Sequence, residues 1–488
     1  MRDLKELTGY DIITEEKIPE VNGTGYILSH KKTKARVLVI ANDDENKVFN
    51  IGFRTPPYDD SGIPHILEHS VLCGSRKYPV KDPFVELAKG SLNTFLNAMT
   101  YSDKTVYPIA SCNEKDFENL MDVYLDAVFY PNIYEHTEIM RQEGWHYELE
   151  TIEGELIYNG VVFNEMKGAF SSPEQQMYSK IEKLLLADTP YKNESGGDPA
   201  AIPTLSQERF LDFHRKYYHP SNSYIYLYGD LDMYKELDYI DKEYLSSFDY
   251  REIDSTIAVQ TAYEQMKDES CFYSIAENES EENQTFLTYN MVVGSSLDKK
   301  QSVAMNILEY AIMDAPGAPL KKALVDAGIG EDVFASFDDG IRQTIFSIVA
   351  RNANMSDKER FVSVIRDTLT DLSGHGEEGK AIDRTSIEAA INNFEFKHKE
   401  ANFGRFPKGL MMGLDAFNTW LYDDASALEM FKLNEVYDEL KESLKTGYFE
   451  ELIWEKLVQN TFGMIFVMKP KKGLDKENDA AEIGRAHV

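Results

Sequence analysis

His65-Ile66-Leu67-Glu68-His69, framed by Ser61-Gly62-Ile63-Pro64 before it and Ser70-Val71-Leu72-Cys73-Gly74 after it, is the stretch on which the reading of this chain turns. On a helix, residues four apart stand one turn above each other on one face, so two imidazoles can reach a single metal ion. Glu68 lies beside that face, within reach of a water held there. Two neutral histidines, a carboxylate base and an open coordination position are what a hydrolytic zinc site requires. The H-x-x-E-H order is the inverted form of the zinc-peptidase signature. Helix signals surround it: Asp60 or Ser61 as N-cap, Pro64 in the first turn, Gly74 as the stop. Only ten histidines occur in the chain, which makes a chance pairing about a glutamate a poor explanation.

Composition narrows the function. The chain has 488 residues, enough for several domains and a large core. Its 51 basic and 84 acidic side chains leave a net charge of −33 and no basic block suited to phosphates, so nucleic-acid binding is excluded. Cys73, Cys112 and Cys271 are scattered, which argues against a disulfide framework or a cysteine-zinc site and for a reducing compartment. The start, Met1-Arg2-Asp3-Leu4-Lys5-Glu6-Leu7, lacks the apolar region of a secretory signal and the acid-poor character of a transit peptide. No apolar run approaches a membrane span. The expectation is a cytoplasmic protein with no membrane partner, or a mitochondrial-matrix one if the owner is eukaryotic and the chain already processed.

Two stretches share one grammar. In the first, Ala35–Ile40 and Val48–Phe53 read as strands, the His65 helix follows, then a strand at Thr105–Ile109, a helix from Asp116 to Phe129 and a strand at Ser223–Gly229. In the second, Gln284–Tyr289 reads as a strand, followed by a helix bearing Asn306-Ile307-Leu308-Glu309-Tyr310, a strand at Gln343–Val349 and a helix over Glu359–Leu372. Asn306–Tyr310 looks like His65–His69 with both ligands replaced, and the following strand begins 38 residues on where the first copy has 40. The fold class expected is α+β, an α/β sandwich of two duplicated domains, each a mostly antiparallel sheet packed with helices. The boundaries read as a zinc-binding domain over 1–250, a linker over 251–268, a homologous domain without a metal site over 269–470 and a polar tail over 471–488. The last seven residues, Glu482–Val488, resemble a frame translation of a sequencing adapter, so the natural chain is expected to run on differently and His487 is not counted as a ligand.

A third ligand must come from elsewhere. Glu165, within Gly160-Val161-Val162-Phe163-Asn164-Glu165-Met166-Lys167-Gly168, lies 96 residues after His69. By residue type alone Glu86, Glu138, Glu143, His136 and His146 are equally open.

The strings His65–Ser75, Lys77-Tyr78-Pro79, Asp82-Pro83-Phe84, Asn97-Ala98-Met99-Thr100 and Gly160–Gly168 together resemble the pitrilysin and insulin-degrading-enzyme family of inverted-motif zinc peptidases, in its presequence-protease branch. The likeness is densest from about Asp60 to Lys180. It implies one zinc held by His65, His69 and Glu165, with Glu68 as general base in hydrolysis of unfolded peptides of modest length. It also implies that Asn97 hydrogen-bonds substrate backbone and that Ala98 and Met99 form an edge to which a peptide adds as a strand. Leu72, Phe84 and Val85 would line a side-chain pocket, although core packing explains Val85 equally well. Full-length members carry four such domains in two halves. The resemblance therefore implies that this chain is the N-terminal half, that a complementary C-terminal half is its partner, and that alone it is weakly active or inactive. Two other readings are a non-catalytic peptide-binding scaffold, which would have no need of Glu68, and half of a two-subunit processing-peptidase-type enzyme.

Overall fold

Alternation of side chains along a strand sorts residues onto two faces, and in the first sheet both faces are covered. The computed structural model describes residues 2–81, 83–149, 151–152, 154–377 and 381–478. Asp82 of the motif string and the seven C-terminal residues lie outside them.

The strands of the first sheet are β1 (Tyr10–Ile18), β2 (Gly23–His30), β3 (Arg36–Ala41), β4 (Lys47–Arg54), β5 (Asn93–Leu96), β6 (Met99–Thr100), β7 (Lys104–Ser111) and, after a separate β8–β9 hairpin (His146–Glu148, Ile157–Asn159), β10 (Ser223–Gly229). They are ordered β1-β2-β3-β10-β4-β7-β5, with β6 also paired to β7. All pairings are antiparallel except β10 with β3. Helices α1 (Ile63–Val71), α2 (Pro83–Gly90), α3 (Glu114–Phe129), α4 (Glu138–Glu143) and α5 (Val161–Ala169) belong to the same unit.

One face of this sheet takes Phe53 and Tyr107, whose rings meet Phe129 and Tyr124 of α3. The other takes Tyr224, Tyr226 and Tyr228 of β10 with Val48 and Val106, packed on Phe417, Trp420 and Phe431. Those three aromatics lie in Asn402–Lys432, far along the chain yet part of this unit. Helix Lys408–Trp420 sits close because Gly409 and Gly413, one turn apart, lie against the rings of Tyr228 and Tyr226, where a Cβ would collide. Tyr226 Oη donates to the Gly409 carbonyl at 2.9 Å. Each large side chain so buried contributes about 1.5–3 kcal/mol.

The second unit comprises Ser172–Asp188, Val259–Ala401 and Leu433–Val488. Its strands, β11 (Lys267–Ile275), β12 (Thr285–Ser295), β13 (Asp332–Asp338), β14 (Gln343–Ala353) and β15 (Gly463–Lys472), are ordered β11-β15-β12-β14-β13. Here too the last strand inserts, parallel to β11 and antiparallel to β12. That order matches β3-β10-β4-β7-β5 position for position. Helix α6 (Pro173–Leu185) packs on β15.

Both units mix helices with largely antiparallel sheets, the α+β class expected from sequence. They do not divide the chain linearly. The compact units exchange segments, 172–188 going to the second and 402–432 to the first, where the sequence reading placed one linker over 251–268. An amphipathic helix does not announce which sheet it will cover.

A candidate metal centre in the first unit

Helix α1 forms where the sequence placed it, but neither Asp60 nor Ser61 caps it. The N-cap is Gly62, at φ 70°, with no side-chain cap. Asp60 instead accepts from the Glu194 backbone N–H at 2.7 Å, and its carbonyl accepts from the Asp198 N–H at 2.8 Å. This pins the loop Glu194-Ser195-Gly196-Gly197-Asp198 against the start of α1. Gly62 and Gly197 both have left-handed backbones and nearly touch, and a Cβ on Gly62 would stand 2.7 Å from the Gly196 oxygen. Without glycine at these places the loop could not come close enough to meet His65.

It does meet it. His65 Nδ1 lies 3.1 Å from the Gly196 carbonyl oxygen. A carbonyl only accepts, so Nδ1 carries the proton and Nε2 keeps its lone pair. His69 Nδ1 lies 3.3 Å from Oε2 of Glu143, which fixes the same tautomer. The two Nε2 atoms converge on Glu165, 3.8 Å and 3.7 Å from its Oε2. Bond lengths of about 2.0–2.1 Å place ligand atoms of a tetrahedral zinc site about 3.3 Å apart, so modest contraction about an ion suffices. The donor set, two imidazole nitrogens and a carboxylate oxygen with the outer nitrogens already engaged, fits zinc.

Glu165 rides on α5, placed by another close approach. Gly160, which opens α5, lies against the carbonyl of Gly144, which closes α4; a Cβ there would collide with it. The Glu143 and Glu165 helices are thereby set relative to each other.

Glu68 points inward from α1 and is 8% exposed. Burial pushes its carboxyl above the usual range, with the Thr100 hydroxyl and the two imidazoles opposing and Glu165 reinforcing. Burial would lower the His69 pKa, but the Glu143 hydrogen bond and the charges of Glu68, Glu143 and Glu165 outweigh it and raise it. For Glu143, burial is likewise outweighed, by His69 and by Gln142, whose Nε2 donates to Oε1 at 2.8 Å, and its carboxyl is held low. The neighbourhood favours positive charge, as a cation site must.

Among the residues left open by type, Glu86 is exposed on α2, His136 pairs with Glu138 at 2.9 Å, and His146 faces the Arg141 carbonyl. Glu143 serves as partner to a histidine, a role not foreseen for it. Its signal was faint: a glutamate just before a glycine that another glycine must approach. The Gly196-Gly197 pair was the other overlooked cue.

Of the substrate-side residues, Leu72 caps the C-terminal end of α1 and is buried. Strand β6, with Met99, packs beside α1. Ala98 is buried, and Asn97 is exposed while its carbonyl accepts from Tyr124 Oη at 3.2 Å. Phe84 and Val85 are half-buried on α2.

With that geometry in view, comparison with known proteins is decisive on kinship. A family model described as Insulinase (Peptidase family M16) matches residues 48–179, and one described as Peptidase M16 inactive domain matches 204–394. The chain belongs to the M16 peptidase family. Among the relatives, Protein HypA of Clostridium perfringens is 50% identical over 473 residues, 97% of this chain and 48% of the relative. Presequence protease 1, chloroplastic/mitochondrial, of Arabidopsis thaliana is 40% identical over 511 residues, 99% of this chain and 47% of the relative. The chain thus spans about half the length of the curated relatives it matches. Two solved structures share the fold: pitrilysin, with TM-score 0.63 and 17% identity over 95% of this chain and 47% of that one, and a protease from Helicobacter pylori, with TM-score 0.68 and 16% identity over 92% and 100%. No helix among the described residues is long and apolar enough to cross a membrane.

Proposed function

We propose that this chain is the metal-bearing half of a zinc-dependent endopeptidase that degrades unfolded peptides of modest length, acting in the cytoplasm. The observation that carries the reading is the convergence of both Nε2 atoms on Glu165 Oε2, with Glu68 buried on the same helix turn. His65, His69 and Glu165 would hold one zinc. Bound there, zinc supplies Lewis acidity and lowers the pKa of a water from ~15.7 toward ~7.

The remaining work falls to the chain itself. Glu68 takes the proton of the attacking water and passes it to the departing amine, and its raised pKa suits both transfers. Glu143 and the Gly196 carbonyl hold the imidazoles in one tautomer and orientation. Strand β6 pairs only with β7 among the described strands, so Ala98 and Met99 offer an edge for an extended peptide, with Asn97 steadying its backbone. Leu72, Phe84 and Val85 would receive a side chain next to the cut bond. The matching strand order of the two sheets supports duplication, with Asn306 and Tyr310 in the places of the two histidines; Asn306 Nδ2 there donates to Asp339 at 3.1 Å.

The test combines zinc stoichiometry with cleavage of a quenched unfolded peptide, with and without a complementary C-terminal half. The expected result is one zinc per chain, weak cleavage alone and strong cleavage on complementation. Full cleavage by the isolated chain would overturn the two-half reading, and absence of zinc would overturn the metal centre.

A further inference from the structure

In a protein of net charge −33, one pocket has cations as six of its ten lining residues. It lies in the first unit, around the turn from β2 to β3, has a volume of about 560 Å³, and is walled by Lys31, Lys32, Lys34, Arg36, Arg54 and Arg251. Glu252 is the one acid in its lining. Three of the six cations are offset by acids outside the lining. Asp11 pairs with Lys31 at 3.8 Å, Asp249 with Lys32 at 3.2 Å, and Asp424 with Arg36 at 2.5 Å.

The other three cations have no carboxylate within ion-pair distance among the described residues. Arg54 donates only to neutral acceptors, Ser255 Oγ at 3.1 Å and the Leu421 carbonyl at 3.0 Å. Arg251 donates to the carbonyls of Arg215 and Lys216. These bonds orient the guanidiniums without neutralising them. Lys34 sits at φ 62°, a backbone that glycine or asparagine adopts more readily. A lysine kept there adds charge to the pocket at a conformational cost, and the fold gains no ion pair from it.

We propose that this pocket binds a small polyphosphate, free or as the tail of a nucleotide. Guanidiniums and ammoniums gathered in one concave lining are the chemistry that recognises phosphate oxygens. The volume is that of a small-molecule site, and the acidic remainder of the protein repels a long polyanion such as nucleic acid. Tyr250, 58% exposed at the rim, offers a ring face on which a base would stack.

Calorimetric titration of the full 488-residue chain with sodium tripolyphosphate and with ATP tests this. The expected result is saturable one-to-one binding that weakens as salt rises. Lys34→Glu and Arg251→Ala should each weaken it by roughly tenfold or more. Lys322→Glu, the same charge change at an exposed residue paired with Asp326 in the second unit, should leave it within about twofold. Thermal melts establish that the variants are folded. Tyr250→Ala assigns the source: selective loss of ATP affinity points to a nucleotide, and equal affinities point to the phosphate chain alone. No saturable binding, or binding unchanged in the Lys34→Glu/Arg251→Ala double variant, would overturn the proposal. The second outcome would put the binding elsewhere on the chain.

Discussion

Replacing Glu143 by glutamine probes the metal centre through a residue that is not itself a ligand. Its side chain is 9% exposed, and both oxygens are occupied, Oε2 by His69 Nδ1 at 3.3 Å and Oε1 by Gln142 Nε2 at 2.8 Å. Glutamine preserves the volume but has one acceptor oxygen for two donors, so His69 keeps its partner only if Gln142 reverses its own amide to accept from the new NH2. It also removes the charge that makes the His69 ring a better donor to a metal. Partners of this kind are worth roughly 10–100-fold in metal affinity, or about 1.4–2.8 kcal/mol. Burial and charge place Glu143 toward the upper end. Competition with a chromophoric chelator measures the affinity, and Glu138→Gln, at an exposed residue paired with His136 on the same helix, is the control. Wild-type affinity in Glu143→Gln, or an equal loss in the control, would refute the reasoning.

The other expectations concern stability. His214 is buried, its Nδ1 accepting from Tyr134 Oη at 2.7 Å and its Nε2 donating to the Val128 carbonyl at 3.0 Å, and burial pushes its pKa down to about 4. The unfolded chain therefore binds the extra proton between about pH 6.5 and pH 4, and stability falls as pH drops through that window, by about 3 kcal/mol at most. Denaturant titrations should show a flatter pH dependence there for His214→Gln than for wild type; parallel curves would contradict it. Gly413→Ala drives a Cβ into the Tyr226 ring and should cost about 1–3 kcal/mol, read as a lower melting temperature. Gly168→Ala, in α5 with open space around it, should be neutral or stabilising by up to about 1 kcal/mol, so equal losses in the two variants would count against the packing account.

What the sequence disclosed follows from how local the signals are. The His65 helix, β3, β4, β7, α3, β10, β12, β14 and helix Lys358–Leu372 rest on apolar runs and periodicities complete within a few residues. Strands β1 and β13 were hidden because their exposed faces leave few apolar residues to mark them. The pairing of β10 beside β3, and of β15 beside β11, depends on partners nearly 200 residues away. The same holds for Asn402–Lys432, whose glycines at 409 and 413 gain meaning only against Tyr228 and Tyr226. At the metal centre, His65, Glu68 and His69 announce themselves by spacing. Glu165 was singled out from other glutamates by resemblance, and the structure puts its oxygen beside both imidazoles. Glu143 and Gly196 act through atoms that sequence spacing cannot bring together.

The central claim is that His65, His69 and Glu165 bind the metal while Glu68 moves the proton. Glu68→Gln separates the two roles, because it leaves the three proposed ligands intact and removes only the base. Measured in the chain complemented with a C-terminal half, the account predicts one zinc per chain, as in wild type, and peptide cleavage lowered at least about a hundredfold. Near-wild-type cleavage by zinc-loaded Glu68→Gln protein would contradict it.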